Sequence, residues 1–266
     1  MTKLLELDNK EGEILRMLCD EAPSDVGIVF LHGFERTTIE YKFKNIVDVL
    51  RGKVNLFRFD FSGCGMSDGE FGTITAEKYV GEIECVMERI KKEYPRVTRI
   101  FFVAHSFAAV PALLFVSKNS GVVEKLVMFG PALNQKVLQR YWFAQKQNVG
   151  SKKKITVQNY AKHMTEKDLE KYVRIASRPS KAHVISKAYY MENKDKNYQE
   201  LFSTCGISPK NMLILHGDKD EAVPIESNDM LPKGLKVVKV KGGDHDLQSI
   251  AMVKQYLKKV TTFLSI

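Results

Sequence analysis

Short apolar runs recur along the chain, with lengths typical of buried β-strands. Five of these runs are almost continuously apolar, a pattern that favours strands covered on both faces of a sheet. They span residues 27–31, 54–59, 100–104, 125–129 and 212–216. A sixth run, residues 235–240, alternates apolar and polar positions more regularly. The pattern therefore predicts one large and mostly buried sheet.

Helical periodicity occupies most of the intervals between these strands. Residues 75–94 are amphipathic at helical spacing, residues 106–117 are small and apolar as in a buried helix, and residues 248–263 form the last predicted helix. Because strands and helices alternate, we predict the α/β class, with a mostly parallel sheet flanked by helices. At the N-terminus, residues 3–7 and 13–19 flank a turn-rich stretch, which predicts an antiparallel hairpin.

The alternation is interrupted between residues 131 and 208. This stretch is poor in strand-like runs and helical in parts, as at residues 165–174, where a threonine N-cap precedes an acidic first turn. Because it separates two predicted strands of the core, we interpret residues 131–208 as an inserted helical cap. Residues 1–130 and 209–266 are then expected to form the core of the domain.

The formal net charge of +9 comes from the same stretch. Residues 131–200 hold 15 of the 41 Lys and Arg residues but only 6 of the 32 Asp and Glu residues. A basic surface attracts nucleic acid or anionic lipid, but no arginine-rich or aromatic-interleaved motif accompanies this one. We therefore interpret it as a solvated helical surface and expect no nucleic-acid partner.

Composition sets further bounds. With 266 residues, of which 44% are hydrophobic and 27% charged, the chain is long enough for one large globular domain. No run reaches the roughly 18 apolar residues that a membrane span needs, and the N-terminus turns acidic too early for a signal peptide. The four cysteines are scattered without CxxC spacing, so no metal site is expected. The sequence predicts a cytoplasmic protein without a membrane span.

One segment, IFFVAHSFAAV at residues 100–110, runs from a predicted strand through Ser106 into a predicted helix. This context is what a nucleophile elbow requires, because the sharp turn exposes the serine hydroxyl at a helix N-terminus. Ala104 lies two residues before the serine, and Ala108 lies two residues after it. Nucleophile elbows usually carry glycine at both of these positions. The turn alone leaves two interpretations open, a nucleophile and a simple N-cap serine.

A serine nucleophile needs a general base. Of the four histidines that follow Ser106, two (His163 and His183) lie in the lysine-rich insertion, and His216 ends a predicted strand. His245 follows the last strand on a glycine-rich loop and precedes the last helix, so its imidazole can reach across to Ser106. His245 is therefore the candidate base.

The base needs an orienting carboxylate. Three carboxylates cluster just past the strand at residues 212–216, at the edge of an α/β sheet where ligand chemistry is usually placed. Asp220 and Asp218 are the two candidates, and the side chain of Asp218 also suits a role in shaping the turn. Glu221 is expected to face solvent.

The tetrahedral intermediate of acyl transfer needs two N–H donors. One is expected to be the amide of Phe107, the residue after the candidate nucleophile. The other is expected from the loop after residues 27–31, where Phe34 is the natural donor and Gly33 gives the backbone freedom to orient it. His32 is expected to brace this loop.

Four motifs, taken in order, resemble those of the α/β-hydrolase superfamily. They are HGF at residues 32–34, DFSGCGMSDG at 60–69, GDKDEAVP at 217–224 and GDH at 243–245. The third resembles the G-x-x-D-x-x-V-P acid loop of that family, which favours Asp220 over Asp218 as the orienting acid. The resemblance covers nearly all of the chain outside residues 131–208 and implies the α/β-hydrolase fold with an inserted cap.

The run at residues 58–71 further resembles bacterial cinnamoyl and feruloyl esterases and the related serine-aminopeptidase-like esterases, which carry a helical insertion over the site. The resemblance implies a serine carboxylesterase that uses Ser106, Asp220 and His245, forms an acyl-enzyme and needs no cofactor or metal. Small to medium acyl or aromatic esters are the expected substrates.

Cap residues are candidates for the substrate pocket. Tyr141, Trp142 and Phe143 either line an apolar acyl or aromatic pocket or pack the cap onto the core. Two alternatives to an esterase stay open. A peptidase, thioesterase or acyltransferase uses the same triad, and fold does not decide between them. A non-catalytic binding relative is the other, motivated by the alanines that replace glycine around Ser106.

Overall fold

The computed structural model describes residues 2–152, 154–171, 175–176 and 184–264. Its strands, in chain order, are β1 Thr2–Asp8, β2 Ile14–Asp20, β3 Val26–Leu31, β4 Asn55–Phe59, β5 Arg99–His105, β6 Val123–Phe129, β7 Ile175–Ala176, β8 Val184–Ile185, β9 Met212–Gly217 and β10 Lys236–Val240. Eight of them form one sheet in the order β1-β2-β4-β3-β5-β6-β9-β10, and β7 pairs with β8 in a separate two-stranded sheet.

The sheet is parallel except at one edge. β1 pairs with β2 and β2 with β4 in antiparallel register, and every other pairing in the large sheet is parallel. Both the mostly parallel sheet and the N-terminal antiparallel hairpin predicted from the sequence are confirmed. All six predicted strands of the core are present within one or two residues of their expected ends.

Helices cover both faces of this sheet. Those in the described residues are α1 Tyr41–Leu50, α2 Ala76–Glu93, α3 Ala109–Lys118, α4 Gln135–Gln147, α5 Glu166–Lys171, α6 Lys187–Asn193 and α7 Ile250–Leu264. Short 3₁₀ turns occur at Phe71–Thr73, Ser106–Ala108, Tyr160–Lys162, Tyr198–Ser203, Pro209–Asn211 and Ile225–Ser227. The helices predicted at residues 75–94, 106–117 and 248–263 correspond to α2, α3 and α7.

Side chains of β3 explain how the two layers form. Because successive residues of a strand point to opposite faces, Ile28 and Phe30 pack with the cluster that includes α1 and α7. Val29 and Leu31 pack on the other face, with the cluster that includes α2 and α3. All four side chains are buried, as the continuous apolar run predicts. The sheet is therefore a rigid platform whose strand ends hold the loops described below.

The stretch at residues 131–208 leaves the sheet after β6 and returns at β9, which is the neighbour of β6 in the sheet. It contains α4, α5 and α6 and the short β7–β8 pair. Of the helix predicted at residues 165–174, α5 covers Glu166–Lys171 and residues 172–174 lie outside the described residues, as does His183. None of the described helices has both the length and the apolar character that a membrane crossing requires.

Candidate active site

Ser106 lies in the sharp turn between β5 and α3. Its φ is +56°, a left-handed conformation that is strained for a residue with a side chain. Ala104 and Ala108 on either side are completely buried, so alanine meets the need for small residues at these positions. The segment therefore has the strand–turn–helix geometry of a nucleophile elbow.

His245 and Asp220 meet Ser106 in one hydrogen-bonded chain. Nε2 of His245 lies 2.9 Å from Oγ of Ser106, and Nδ1 of His245 lies 2.7 Å from Oδ2 of Asp220. All three residues are buried, which limits competition from water for these bonds. The three side chains come from the ends of β5, β9 and β10, which meet at the same edge of the sheet.

Asp220 is held as a carboxylate. Its Oδ1 accepts hydrogen bonds from the amides of Ala222 at 3.0 Å and Val223 at 2.8 Å. Burial alone would raise the pKa of Asp220, but the neighbouring His245 and His216 outweigh that effect and hold the pKa below its usual range. A fixed, ionised carboxylate at Nδ1 orients the ring of His245 toward Ser106.

Asp218, the alternative acid, serves the turn instead. Its Oδ1 accepts the amide of Gly242 at 2.7 Å, so it joins the loop after β9 to the loop after β10. Glu221 is exposed, as the sequence predicted. Of the three clustered carboxylates, Asp220 is thus the one that contacts His245.

Two glycines allow the loops of Asp220 and His245 to approach each other. A Cβ atom on Gly217 would collide with the backbone of Gly243, and one on Gly243 would lie 2.9 Å from Cα of Gly217. The amide of Lys219 donates to the carbonyl of Gly243 at 2.9 Å across this contact. Larger residues here would separate the acid from the base.

The loop after β3 fixes the backbone of Phe34. Nδ1 of His32 donates to the carbonyl oxygen of Gly33 at 2.8 Å, and its Nε2 accepts the amide of Phe61 at 2.9 Å. Burial lowers the pKa of His32, so the neutral ring can donate at one nitrogen and accept at the other. The Gly33 carbonyl and the Phe34 amide share one planar peptide unit, so fixing the oxygen also fixes the N–H. Among the described residues, this N–H has no acceptor.

A narrow cavity lies over Ser106. Its volume is about 40 Å³, which is room for a few water molecules. Its wall combines aromatic, small and charged residues from the loops at the strand ends and from helices α4 and α6. The lining residues are Phe34, Glu35, Arg36, His105, Ser106, Phe107, Ala132, Trp142, Tyr189, Ala222, Val223 and His245.

The three aromatic residues predicted in the insertion occupy different places. Trp142 lines the cavity, and its Nε1 donates to the carbonyl of Ala222 at 2.6 Å. Tyr141 is not among the lining residues: its ring is buried beside Leu138 and Val223, and its hydroxyl donates to the carbonyl of Glu221 at 2.9 Å. Phe143 packs in the main core. Trp142 thus has the position expected of a residue that lines a substrate pocket, whereas Tyr141 and Phe143 have the positions expected of residues that pack the stretch at 131–208 onto the core.

Tyr189 lines the cavity although the sequence analysis did not single it out. Its ring centroid lies 4.9 Å from that of Phe107 and 5.3 Å from that of Phe34. Its hydroxyl donates to Oε1 of Gln135 at 2.9 Å, and both side chains are buried. The local signal was limited to Ser186, which caps α6 just before this tyrosine.

The described residues contain no group of three or more His, Cys, Asp or Glu side chains that could hold a metal ion. The described site is thus a hydroxyl, an imidazole and a carboxylate in series, beside a backbone N–H without an acceptor. This arrangement can transfer a proton from a serine hydroxyl and stabilise a developing oxyanion.

A known protein family matches most of the chain. Residues 22–247 match the family described as Hydrolase_4, serine aminopeptidase, S33. No curated protein matched the chain in a sequence comparison.

Similarity to solved structures agrees with the α/β-hydrolase fold. Est1E from Butyrivibrio proteoclasticus, solved with ferulic acid bound, is 21% identical with a TM-score of 0.69, covering 97% of this chain and 95% of Est1E. The Pyrococcus furiosus esterase Pf2001 is 17% identical with a TM-score of 0.67, covering 99% and 90%. Mouse alpha/beta hydrolase domain-containing protein 10 is 17% identical with a TM-score of 0.66, covering 98% of each chain.

Proposed function

Because the chain belongs to the serine aminopeptidase S33 family of hydrolases, we propose that it is a serine carboxylester hydrolase whose nucleophile is Ser106. One observation carries the proposal: the hydrogen-bonded chain from Asp220 through His245 to Oγ of Ser106. Each member has the partner that its role requires, a base for the hydroxyl and a carboxylate for the base. The cytoplasmic location expected from the sequence is part of the same proposal.

In the first half-reaction, Oγ of Ser106 attacks the ester carbonyl carbon while Nε2 of His245 takes the hydroxyl proton. The carbonyl oxygen becomes an oxyanion, which the amides of Phe34 and Phe107 stabilise. The carbon–oxygen bond to the alcohol then breaks, and His245 gives its proton to the departing alkoxide. An acyl-enzyme and a free alcohol are the products.

In the second half-reaction, water replaces the alcohol. His245 takes a proton from the water as its oxygen attacks the acyl carbon, and the proton returns to Oγ of Ser106 when the acid leaves. Asp220 stays ionised throughout, holds Nδ1–H of His245 and stabilises the imidazolium that forms in each step.

We propose esters of short acyl groups as the substrates. The narrow cavity over Ser106 favours an acyl group of a few carbon atoms, with Trp142 and Tyr189 limiting its length. Both residues lie in the stretch at 131–208, which we therefore propose to be the cap that sets substrate size. The neighbours solved as esterases, one of them with ferulic acid, support ester chemistry as a starting point.

An aminopeptidase is the second candidate. The description of the family favours it, and Glu35 in the cavity lining supplies a carboxylate of the sign that an N-terminal ammonium group needs. Turnover of p-nitrophenyl acetate compared with that of aminoacyl p-nitroanilides separates the two. We expect the ester to be turned over with the higher kcat/KM, and a higher value for the anilides would favour the aminopeptidase.

Labelling with a fluorophosphonate probe tests the nucleophile. The wild type is expected to be labelled, and Ser106→Ala is expected to be unlabelled while remaining folded. His245→Ala is expected to be labelled far more slowly, because the hydroxyl then lacks its base. Undiminished labelling of Ser106→Ala would refute the assignment, and an unlabelled wild type would favour a non-catalytic binding relative.

A further inference from the structure

A buried cluster of ionisable side chains lies behind the loop of Phe34. The side chains of Glu40, Lys42 and His105 are 4%, 0% and 1% exposed. Glu40 and Lys42 come from the start of α1, whereas His105 ends β5 directly before Ser106. Burying charges is costly unless each is paired and hydrogen-bonded. The contacts of each of the three side chains therefore indicate what the cluster does.

The carboxylate of Glu40 is the centre of the cluster. Its Oε2 lies 2.5 Å from Nζ of Lys42 and 2.8 Å from Nδ1 of His105. Its Oε1 accepts the amide of Gly33 at 2.8 Å. Glu40 precedes the first residue of α1 but makes no side-chain cap for that helix, so both carboxylate oxygens are directed to the site instead.

The amide held by Glu40 is the N–H of Gly33, the residue before Phe34. His32 holds the carbonyl oxygen of Gly33, and Glu40 holds the N–H of the same glycine. Two successive peptide planes are thereby fixed at a residue whose backbone is otherwise the most flexible of all residue types. The N–H of Phe34 is directed by these two contacts.

The other arm of the cluster reaches the base. Burial lowers the pKa of His105 to about 4, so its ring is neutral at neutral pH. Nε2 of this ring lies 3.3 Å from the backbone carbonyl oxygen of His245. The ring centroids of His105 and His245 are 4.8 Å apart, and a Cβ atom on Gly33 would lie 2.5 Å from Nδ1 of His105. His105 is thus packed between the loop of Phe34 and the base.

We propose that Glu40 is a positioning residue: its carboxylate accepts the amide of Gly33 in the loop of Phe34 and Nδ1–H of His105, whose ring packs against His245, so that oxyanion donor and base keep a fixed separation around Ser106. Lys42 supplies the counter-charge that allows the carboxylate to be buried. The inference rests on the proposed function, because it concerns the stabilisation of a tetrahedral intermediate on Ser106.

The test uses the charge-matched double variant Glu40→Gln/Lys42→Met, because removing only the carboxylate would leave a buried ammonium unpaired. On p-nitrophenyl acetate, kcat is expected to fall roughly 10- to 100-fold with KM within about twofold, since small displacements of oxyanion donors cost rate rather than ground-state binding. The Ki of methylboronic acid, which forms a tetrahedral adduct with serine, is expected to rise by the same factor as kcat/KM falls.

Two further variants keep the result interpretable. Glu40→Asp retains the charge but has a shorter side chain. Its kcat is expected to fall less than that of the double variant, again with KM nearly unchanged. Glu82→Gln is the matched control, because Glu82 is equally buried but binds Ser62 rather than the loop of Phe34. Its kcat and its boronate Ki are expected to equal those of the wild type.

An unchanged kcat and boronate Ki in the folded double variant would overturn the positioning role, as would a loss confined to KM. Failure of the proposed function gives a different result, namely a wild type that neither turns over p-nitrophenyl acetate nor binds the boronic acid.

Discussion

Arg36 and Asp246 form a two-point ion pair, with Nη2 of the arginine 2.5 Å from Oδ1 and 2.7 Å from Oδ2 of the aspartate. Arg36 lies two residues after Phe34, and Asp246 directly follows His245. The pair therefore ties the loop of the proposed oxyanion donor to the loop of the proposed base. The side chains are 21% and 23% exposed, so solvent screens this pair less than a fully exposed one.

Removing either partner is expected to loosen this tie. We predict that Arg36→Ala and Asp246→Ala each lower kcat/KM roughly 3- to 10-fold, and that the double variant is hardly worse than either single one, because both lose the same interaction. A double-mutant cycle, with kcat/KM for p-nitrophenyl acetate as the readout, measures this coupling between Arg36 and Asp246. Losses that simply multiply in the double variant would mean that the two residues act independently.

The acid is tested by two isosteric variants. Asp220→Asn is expected to lower kcat by roughly 10⁴, because an amide neither stabilises the imidazolium nor holds the required tautomer of His245. Asp218→Asn is expected to lower kcat by less than about 10-fold, since among the described residues its side chain accepts the amide of Gly242 and does not contact His245. Thermal unfolding of both variants serves as the control for folding. An equal or larger loss in Asp218→Asn would contradict the assignment.

Glu82 gives the fold a predictable dependence on pH. Burial raises its pKa to about 7 from an ordinary value of 4.5, although hydrogen bonds from Ser62 oppose the shift. Between these two values the folded protein keeps a proton that the unfolded chain releases, so this contribution to stability falls as pH rises from 4.5 to 7. The loss amounts to about 3 kcal/mol at most.

Urea unfolding of the wild type and of Glu82→Gln across this range measures the effect. The free energy of unfolding of the wild type, relative to the variant, is expected to decrease with rising pH and to level off above neutrality. A difference that is constant with pH would show that Glu82 titrates normally.

Tyr189 is expected to limit acyl length. Tyr189→Ala removes a ring from the cavity wall, so the ratio of kcat/KM for p-nitrophenyl octanoate to that for the acetate should rise at least 10-fold. Tyr198→Ala is the matched control, because this tyrosine lies in the same stretch and is also buried but does not line the cavity. An equal rise in both variants would indicate general loosening of the cap instead.

Patterns within short segments of the sequence were sufficient to predict the central sheet. Continuous apolar runs predicted the strands. Ser106, Asp220 and His245 could be predicted to meet because each follows a strand that ends at the same edge of the sheet. Helix α1 was not identified, although Phe43, Ile46, Val47 and Leu50 follow helical spacing and are buried. Its signal was present in the sequence.

Contacts between distant segments could not be predicted in the same way. The place of Tyr189 depends on the path that the chain takes between β6 and β9, and no periodicity encodes that path. Lys42 is a lysine in a fully buried position, which composition alone assigns to the surface. Its burial depends on Glu40 and His105, which come together only in the folded chain.

Mass spectrometry of the acid-quenched reaction detects the proposed acyl-enzyme on Ser106 itself. After p-nitrophenyl acetate is mixed with the protein, we expect one acetyl group per chain, on the peptide that contains Ser106, and none in Ser106→Ala. Turnover of the ester with no acetyl group on that peptide, or with the group on another residue, would contradict it.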